Sequence, residues 1–174
     1  MTTTTTAGGY YTFTGLISGT YSVGIQIPPG YSSSTDIPSS GTPNNDVDSD
    51  DNGVNVSGGW VTSNPVTLVP GAEPSVNNPT GTSTNPTVDF GLTPLFSIGN
   101  QVWYDTNNDG MVNAGEVGVA GVVMVLQLAN GSTLTTTTDI SGFYRFDGLA
   151  AGTYTPVVAA VNFQPGGVLA GYLN

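Results

Sequence analysis

Residues 105–116 read Asp-Thr-Asn-Asn-Asp-Gly-Met-Val-Asn-Ala-Gly-Glu, and no other stretch restricts the fold as tightly. Counted as a twelve-residue calcium loop, they place oxygen side chains at positions 1 (Asp105), 3 (Asn107), 5 (Asp109) and 9 (Asn113). Gly110 stands at position 6, where the chain turns sharply. Met111 at position 7 needs only its backbone carbonyl, and Glu116 at position 12 can bind through both carboxylate oxygens. A hard cation wants six to eight oxygens, and this loop supplies most of them by itself.

The flanks decide what kind of protein carries the loop. Helical flanks would repeat apolar residues every three or four positions. Here Ser97-Ile98-Gly99-Asn100-Gln101-Val102-Trp103-Tyr104 precedes it, and a Val-rich stretch with Val122, Met124, Leu126 and Leu128 spaced by two follows it. That is strand chemistry, so the expectation is Ca2+ clipping two β-strands together.

One Lys or Arg against twelve Asp and Glu gives a net charge of -11, which argues against nucleic acid or an anionic membrane as a partner. Seven of the twelve acids fall in two short segments: Asp46, Asp48, Asp50 and Asp51, then Asp105, Asp109 and Glu116. Bound cations would relieve their mutual repulsion. Without Cys, His or Lys the chain has no disulfide, no thiolate or imidazole metal site, no nucleophilic cysteine, no histidine base and no Schiff-base lysine. Glu73 and Glu116 are the only glutamates, and Glu116 serves better as a calcium ligand than in a glycosidase pair. No catalytic or organic-cofactor residues are expected, and the chain is not expected to be an enzyme. No apolar run is long enough to span a membrane, and the Thr-rich start lacks signal-peptide character, so an export signal is expected outside this chain.

The chain repeats itself. Residues 2–21 recur as residues 135–154 at a constant offset of 133, with eight of thirteen residues identical between Gly9 and Tyr21. Each copy reads as a Thr-rich strand, a turn at Gly8-Gly9 or Ser141-Gly142, an aromatic strand (Tyr11, Phe13 or Tyr144, Phe146), a turn at Gly15 or Gly148, and a further strand from Tyr21 or Tyr154. Residues 60–69 and 87–92 read as two more strands among prolines. Such short strands between turns predict an all-β sandwich. In the acidic run, Asp48, Asp50, Asn52 and Gly53 match calcium-loop positions 1, 3, 5 and 6, but the closing glutamate is missing. A second calcium site from Asp46, Asp48, Asp50 and Asn52 would need a distant acid such as Asp36 or Glu73. Asn55-Val56-Ser57 and Asn130-Gly131-Ser132 also fit the N-glycosylation triplet.

Three features together resemble the B-type modules of serine-aspartate repeat surface proteins, relatives of the collagen-adhesin B domain. They are Ser97-Ile98-Gly99-Asn100 to Val102-Trp103-Tyr104-Asp105 leading into the loop, the Gly-x-Tyr-x-Phe-x-Gly-Leu-x-x-Gly-Thr-Tyr pattern in both copies, and the acidic run ending at Gly53. Val88-Asp89-Phe90-Gly91 fits the module's closing strand. The resemblance implies prealbumin-like, Ig-like β-sandwich modules in tandem, stiffened by calcium and stacked into a stalk at a bacterial cell surface. The isopeptide lock of some relatives is impossible without Lys, which leaves metal as the staple. In that frame residues 1–94 are the later part of one module and 95–174 the opening part of the next, and the two combine by strand complementation within or between chains. The expected partners are like modules or copies of itself, in a stalk or a head-to-tail filament. The alternative is an adhesin module that binds glycan or protein through exposed aromatics such as Trp60.

Overall fold

Glycines and prolines divide the chain into short strands, and no α-helix forms among the described residues. The computed structural model describes residues 1–34, 43, 50–74 and 83–172, in two units, Met1–Thr93 and Pro94–Asn174. Asp36, Asp46 and Asp48 lie outside the described residues.

The first unit contains β1 (Gly19–Tyr21), β2 (Gly24–Gln26), β3 (Tyr31–Ser33), β4 (Gly53–Ser57), β5 (Trp60–Ser63) and β6 (Val66–Leu68), with β7 (Leu92–Pro94) at its boundary. β1 pairs with β6, β3 with β7, and a three-stranded sheet runs in the order β2-β5-β4. The tight β4–β5 hairpin turns on Gly58 and Gly59 at φ 59° and 81°, a two-residue turn open to glycine. The run 60–69 splits into β5 and β6 at Asn64-Pro65, where proline has no N–H for a ladder.

This unit's interior is as polar as it is apolar. Val61 and Val66 are buried, but so are Asp51, Asn52, Ser63 and Thr87. The Asp51 carboxylate, 7% exposed, accepts from the N–H groups of Gly53 (3.0 Å) and Gly91 (3.1 Å) and from the Ser34 hydroxyl. Asn52, 1% exposed, pairs with Asp89 like a strand residue: its N–H donates to the Asp89 carbonyl (2.9 Å) and its Oδ1 accepts from the Asp89 N–H (2.8 Å). Side chains thus hold residues 87–91 in place where the sequence predicts a strand; only Leu92 onward is ladder.

The second unit contains β8 (Phe96–Gln101), β9 (Val123–Leu128), β10 (Thr133–Thr137), β11 (Phe143–Leu149) and β12 (Tyr154–Val158). They form two antiparallel sheets, β10-β9-β12 and β11-β8. Val122, Met124 and Leu126, spaced by two, point from one sheet onto Phe146 and Leu149 of the other, with Val119 and Leu169 completing the core. This is a β-sandwich closed by alternating side chains. A 3-10 turn, Ala160–Phe163, seals one end. Its Asn162, 2% exposed, accepts from the Val123 N–H (2.9 Å) and donates to the carbonyls of Val123 and Ala159 (2.8 Å each).

The two repeat copies keep the same local geometry. Thr6 N–H to Tyr10 carbonyl (2.8 Å) and Gly9 N–H to Thr6 carbonyl (2.9 Å) recur as Asp139 to Phe143 (2.8 Å) and Gly142 to Asp139 (3.0 Å). Tyr11 and Phe13 meet edge-on at 6.0 Å and 71°, Tyr144 and Phe146 at 6.0 Å and 73°. Tyr21 donates its hydroxyl to the Ile17 carbonyl (2.8 Å), Tyr154 to that of Ala150 (2.9 Å). Yet residues 2–6 and 10–15 are in no strand, contrary to the alternation of their sequence, while the second copy supplies β10 and β11. Beyond this repeat neither unit reproduces the other's strands, so the chain is not two complete modules in tandem.

Candidate metal centre

The loop of residues 105–116 is closed at its base by strand-like pairing. Trp103 bridges Gly118, the Tyr104 N–H donates to Val117 (3.0 Å), and the Val119 N–H donates to Val102 (2.8 Å). Glycine is required here: a Cβ on Gly118 would lie 1.8 Å from the Ser141 carbonyl, and one on Gly142 would lie 2.3 Å from that of Val102. The Ser141-Gly142 turn of the repeat is therefore pressed against the loop's base, and the Gln101 side chain donates to Ser141 (2.8 Å). Tyr104, at the entrance, stacks on Tyr172 with ring centroids 5.3 Å apart.

Inside the loop the predicted ligand side chains bond mostly to the loop's own N–H groups, and Asn107 and Asn113 meet Asp109. Asp105 accepts from the N–H groups of Asp109 (3.2 Å) and Gly110 (2.8 Å), which wraps the turn around its carboxylate. Asn107 Oδ1 accepts from the Asp109 N–H (3.1 Å). Asp109 accepts from the Met111 N–H (2.8 Å) and from the side-chain amides of Asn113 (2.8 Å) and Asn107 (3.0 Å). Glu116 spans the loop, one oxygen on the Thr106 N–H (2.8 Å) and the other on the Asn113 N–H (2.9 Å). Asn108 at φ 58° and Gly110 at φ 76° make the left-handed turns that allow this. The Met111 N–H, followed by the Asn113 and Asn107 amides, holds the Asp109 carboxyl below its ordinary pKa.

The donor set is three carboxylates, two amides and the Met111 carbonyl, all oxygen chemistry, which suits a hard cation such as Ca2+. Among the described residues no three His, Cys, Asp or Glu side chains gather as a compact cluster, so the set is a mixed one. The Asn107 and Asn113 amides present nitrogen to Asp109; a half-turn of either presents its oxygen instead.

Of the second set, Asp50 accepts from the Asn52 amide (3.3 Å), and Asn52 Oδ1 accepts from the Asp89 N–H. Glu73 accepts from the Val69 N–H (2.6 Å) within its own turn. Asp50, Asp51 and Asp89 line a groove of about 650 Å³ with Tyr11, Ser34 and Phe90. The Tyr11 hydroxyl donates to the Val88 carbonyl (2.5 Å), and burial, reinforced by Asp89, pushes its pKa well above the ordinary 10.0. Sequence reading passed over Asp51 as a structural residue because nothing marks it off from its acidic neighbours. It passed over Asn162 because Val123, which it bonds twice, is 39 residues away.

The profile of the SdrD B-like domain matches residues 1–92 and 96–170. Serine-aspartate repeat-containing protein F of Staphylococcus epidermidis is 36% identical over 156 residues, which cover 88% of this chain and 8% of that protein. Serine-aspartate repeat-containing protein D of Staphylococcus aureus is 38% identical over 156 residues, 88% of this chain and 10% of that protein. The chain thus spans a tenth or less of the length of these relatives. No solved structure matches it. With its paired sheets, its loop and both matched stretches, the chain belongs to the SdrD B-like domain family.

Proposed function

We propose that the chain is a structural repeat of an extracellular bacterial surface protein, and that Ca2+ bound by residues 105–116 is its staple. The observation that carries this reading is the loop itself: Asp105, Asp109 and Glu116 accept from its own N–H groups and Asn113 turns its amide to Asp109, above a base closed by β-type pairing. Bound there, the cation neutralises three carboxylates and ties the segment entering the loop to the one leaving it. Its binding free energy adds to folding because the unfolded chain has no such site. The absence of Lys, Cys and His leaves oxygen ligation as the available cross-link, and membership in a family shared with serine-aspartate repeat proteins supports the surface role.

Calorimetric titration tests this. The chain should take up Ca2+ with a Kd that rises at least tenfold in Glu116→Gln and in Asp105→Asn, since each removes a carboxylate from the set. Equal affinity in all three proteins, or no binding heat in the parent, would overturn the proposal.

A further inference from the structure

In an Asn-Gly pair the backbone nitrogen of the glycine can attack the side-chain amide before it, because no Cβ crowds the approach. The chain holds two such pairs, Asn52-Gly53 and Asn130-Gly131, in opposite surroundings. Asn52 is 1% exposed, and its side chain is held at both ends: Oδ1 accepts from the Asp89 N–H (2.8 Å), and Nδ2 donates to Asp50 (3.3 Å). The Gly53 N–H is taken by the Asp51 carboxylate (3.0 Å). A Cβ on Gly53 would lie 2.8 Å from the Val61 side chain, so an amide has no room to swing across it.

Asn130 stands at the tip of the β9–β10 hairpin, exposed together with Ala129, Gly131 and Ser132. A Cβ on Gly131 would meet nothing within 4 Å, so the space a rotating amide needs is open. The Gly131 N–H donates to the Leu128 carbonyl (2.9 Å), a single bond at an exposed tip that opens by local fraying. Asn130 Oδ1 accepts twice from Ser132, from its N–H (3.0 Å) and from its hydroxyl (2.7 Å). Both donors draw electron density from the amide carbon, and both meet the negative charge that an attack on that carbon builds on Oδ1.

We infer that Asn130 is a self-modification site, converted by water to aspartate and isoaspartate through a cyclic imide, with Ser132 as its positioning residue. Hydroxide removes the Gly131 amide proton, and the nitrogen's electron pair forms a bond to Asn130 Cγ. The tetrahedral oxyanion collapses, the Cγ–Nδ2 bond breaks, and ammonia leaves with a proton from water, which regenerates hydroxide. Water then opens the imide. Attack at the side-chain carbonyl gives aspartate, and attack at the main-chain carbonyl gives isoaspartate. The balance is one water taken up and one ammonia released, with no oxidation or reduction. Each event adds a negative charge at the hairpin tip, and isoaspartate also lengthens the backbone between β9 and β10 by a methylene. A folded module therefore carries a chemical record of its age.

The test holds the freshly purified full chain in mildly alkaline heavy-oxygen water. Digestion with pepsin in acid halts the reaction, and mass spectrometry reads the label at each asparagine. Asn130 should take up heavy oxygen at least tenfold faster than Asn52, with both isoaspartate and aspartate formed. In denaturant the two sites should convert at similar rates, because the fold alone separates them. Ser132→Ala, at an exposed position, should slow Asn130 at least threefold in the folded chain and leave its rate in denaturant unchanged. Equal rates at the two sites of the folded chain, aspartate without isoaspartate, or a folded Ser132→Ala chain that keeps the parent's rate would overturn the inference. The chemistry needs no cation, so this result stands apart from the calcium titration.

Discussion

Leu16 and Leu149 are the same residue at the same place in a repeated sequence, preceded by the same edge-on ring pair and by the same turn, yet one is on the surface and the other in the core. The difference is the neighbour. β8 lies beside β11 and β9 beside β10, whereas residues 2–6 and 10–15 pair with no strand among the described residues. Local sequence is therefore enough to set turns, ring packing and the tyrosine hydroxyl bond, and pairing is needed to turn that geometry into a strand and a core.

The comparison can be broken most directly at those two leucines. Leu149→Ala should cost about 2–5 kcal/mol of unfolding free energy, as for a buried leucine, while Leu16→Ala should cost well under about 1 kcal/mol, both read by denaturant titration. Equal losses would mean that the first copy is packed in solution as the second is. The polar interior of the first unit gives the next effect. Asp51→Ala strands the N–H groups of Gly53 and Gly91 and should destabilise that unit by about 1–3 kcal/mol for each donor left without a partner.

A third effect lies at Tyr11. Burial raises Tyr11's pKa, so its neutral phenol contributes stability that is full below the ordinary 10.0 and is lost as pH rises beyond it. Absorbance titration should show Tyr11 ionising above the ordinary 10.0, as a step lost in Tyr11→Phe, and Tyr11→Phe should flatten the alkaline loss of stability. The smallest effect should be shared equally. Tyr21→Phe and Tyr154→Phe each remove one exposed hydroxyl-to-carbonyl bond and should each cost about 0.5–1.5 kcal/mol.

The turn of residues 105–116 was legible in sequence because its pattern is complete within twelve residues and needs no distant partner. The sandwich of the second unit was legible for a related reason: Val122, Met124 and Leu126 alternate along one strand, and alternation reports directly which face is buried. The same alternation misled at residues 10–15, since it describes the strand a segment is suited to form and carries no information on whether a partner is beside it. Residues 87–91 misled in the opposite way. They resemble a strand, but Asp51 and Asn52 hold them by side-chain bonds spanning 37 to 40 residues, which no local pattern encodes.

The central claim is that the loop of residues 105–116 is a metal staple of the second unit. Trp60→Phe leaves Trp103, beside the loop, as the sole indole, so its fluorescence reports that unit's melting. At a hundredfold excess over Kd, binding stabilises by about 2.7 kcal/mol. At about 4–8 °C per kcal/mol for a domain of this size, excess Ca2+ should raise the Trp103 transition by roughly 10–20 °C over the same protein in EGTA. Coincident melting curves in the two conditions would contradict the claim.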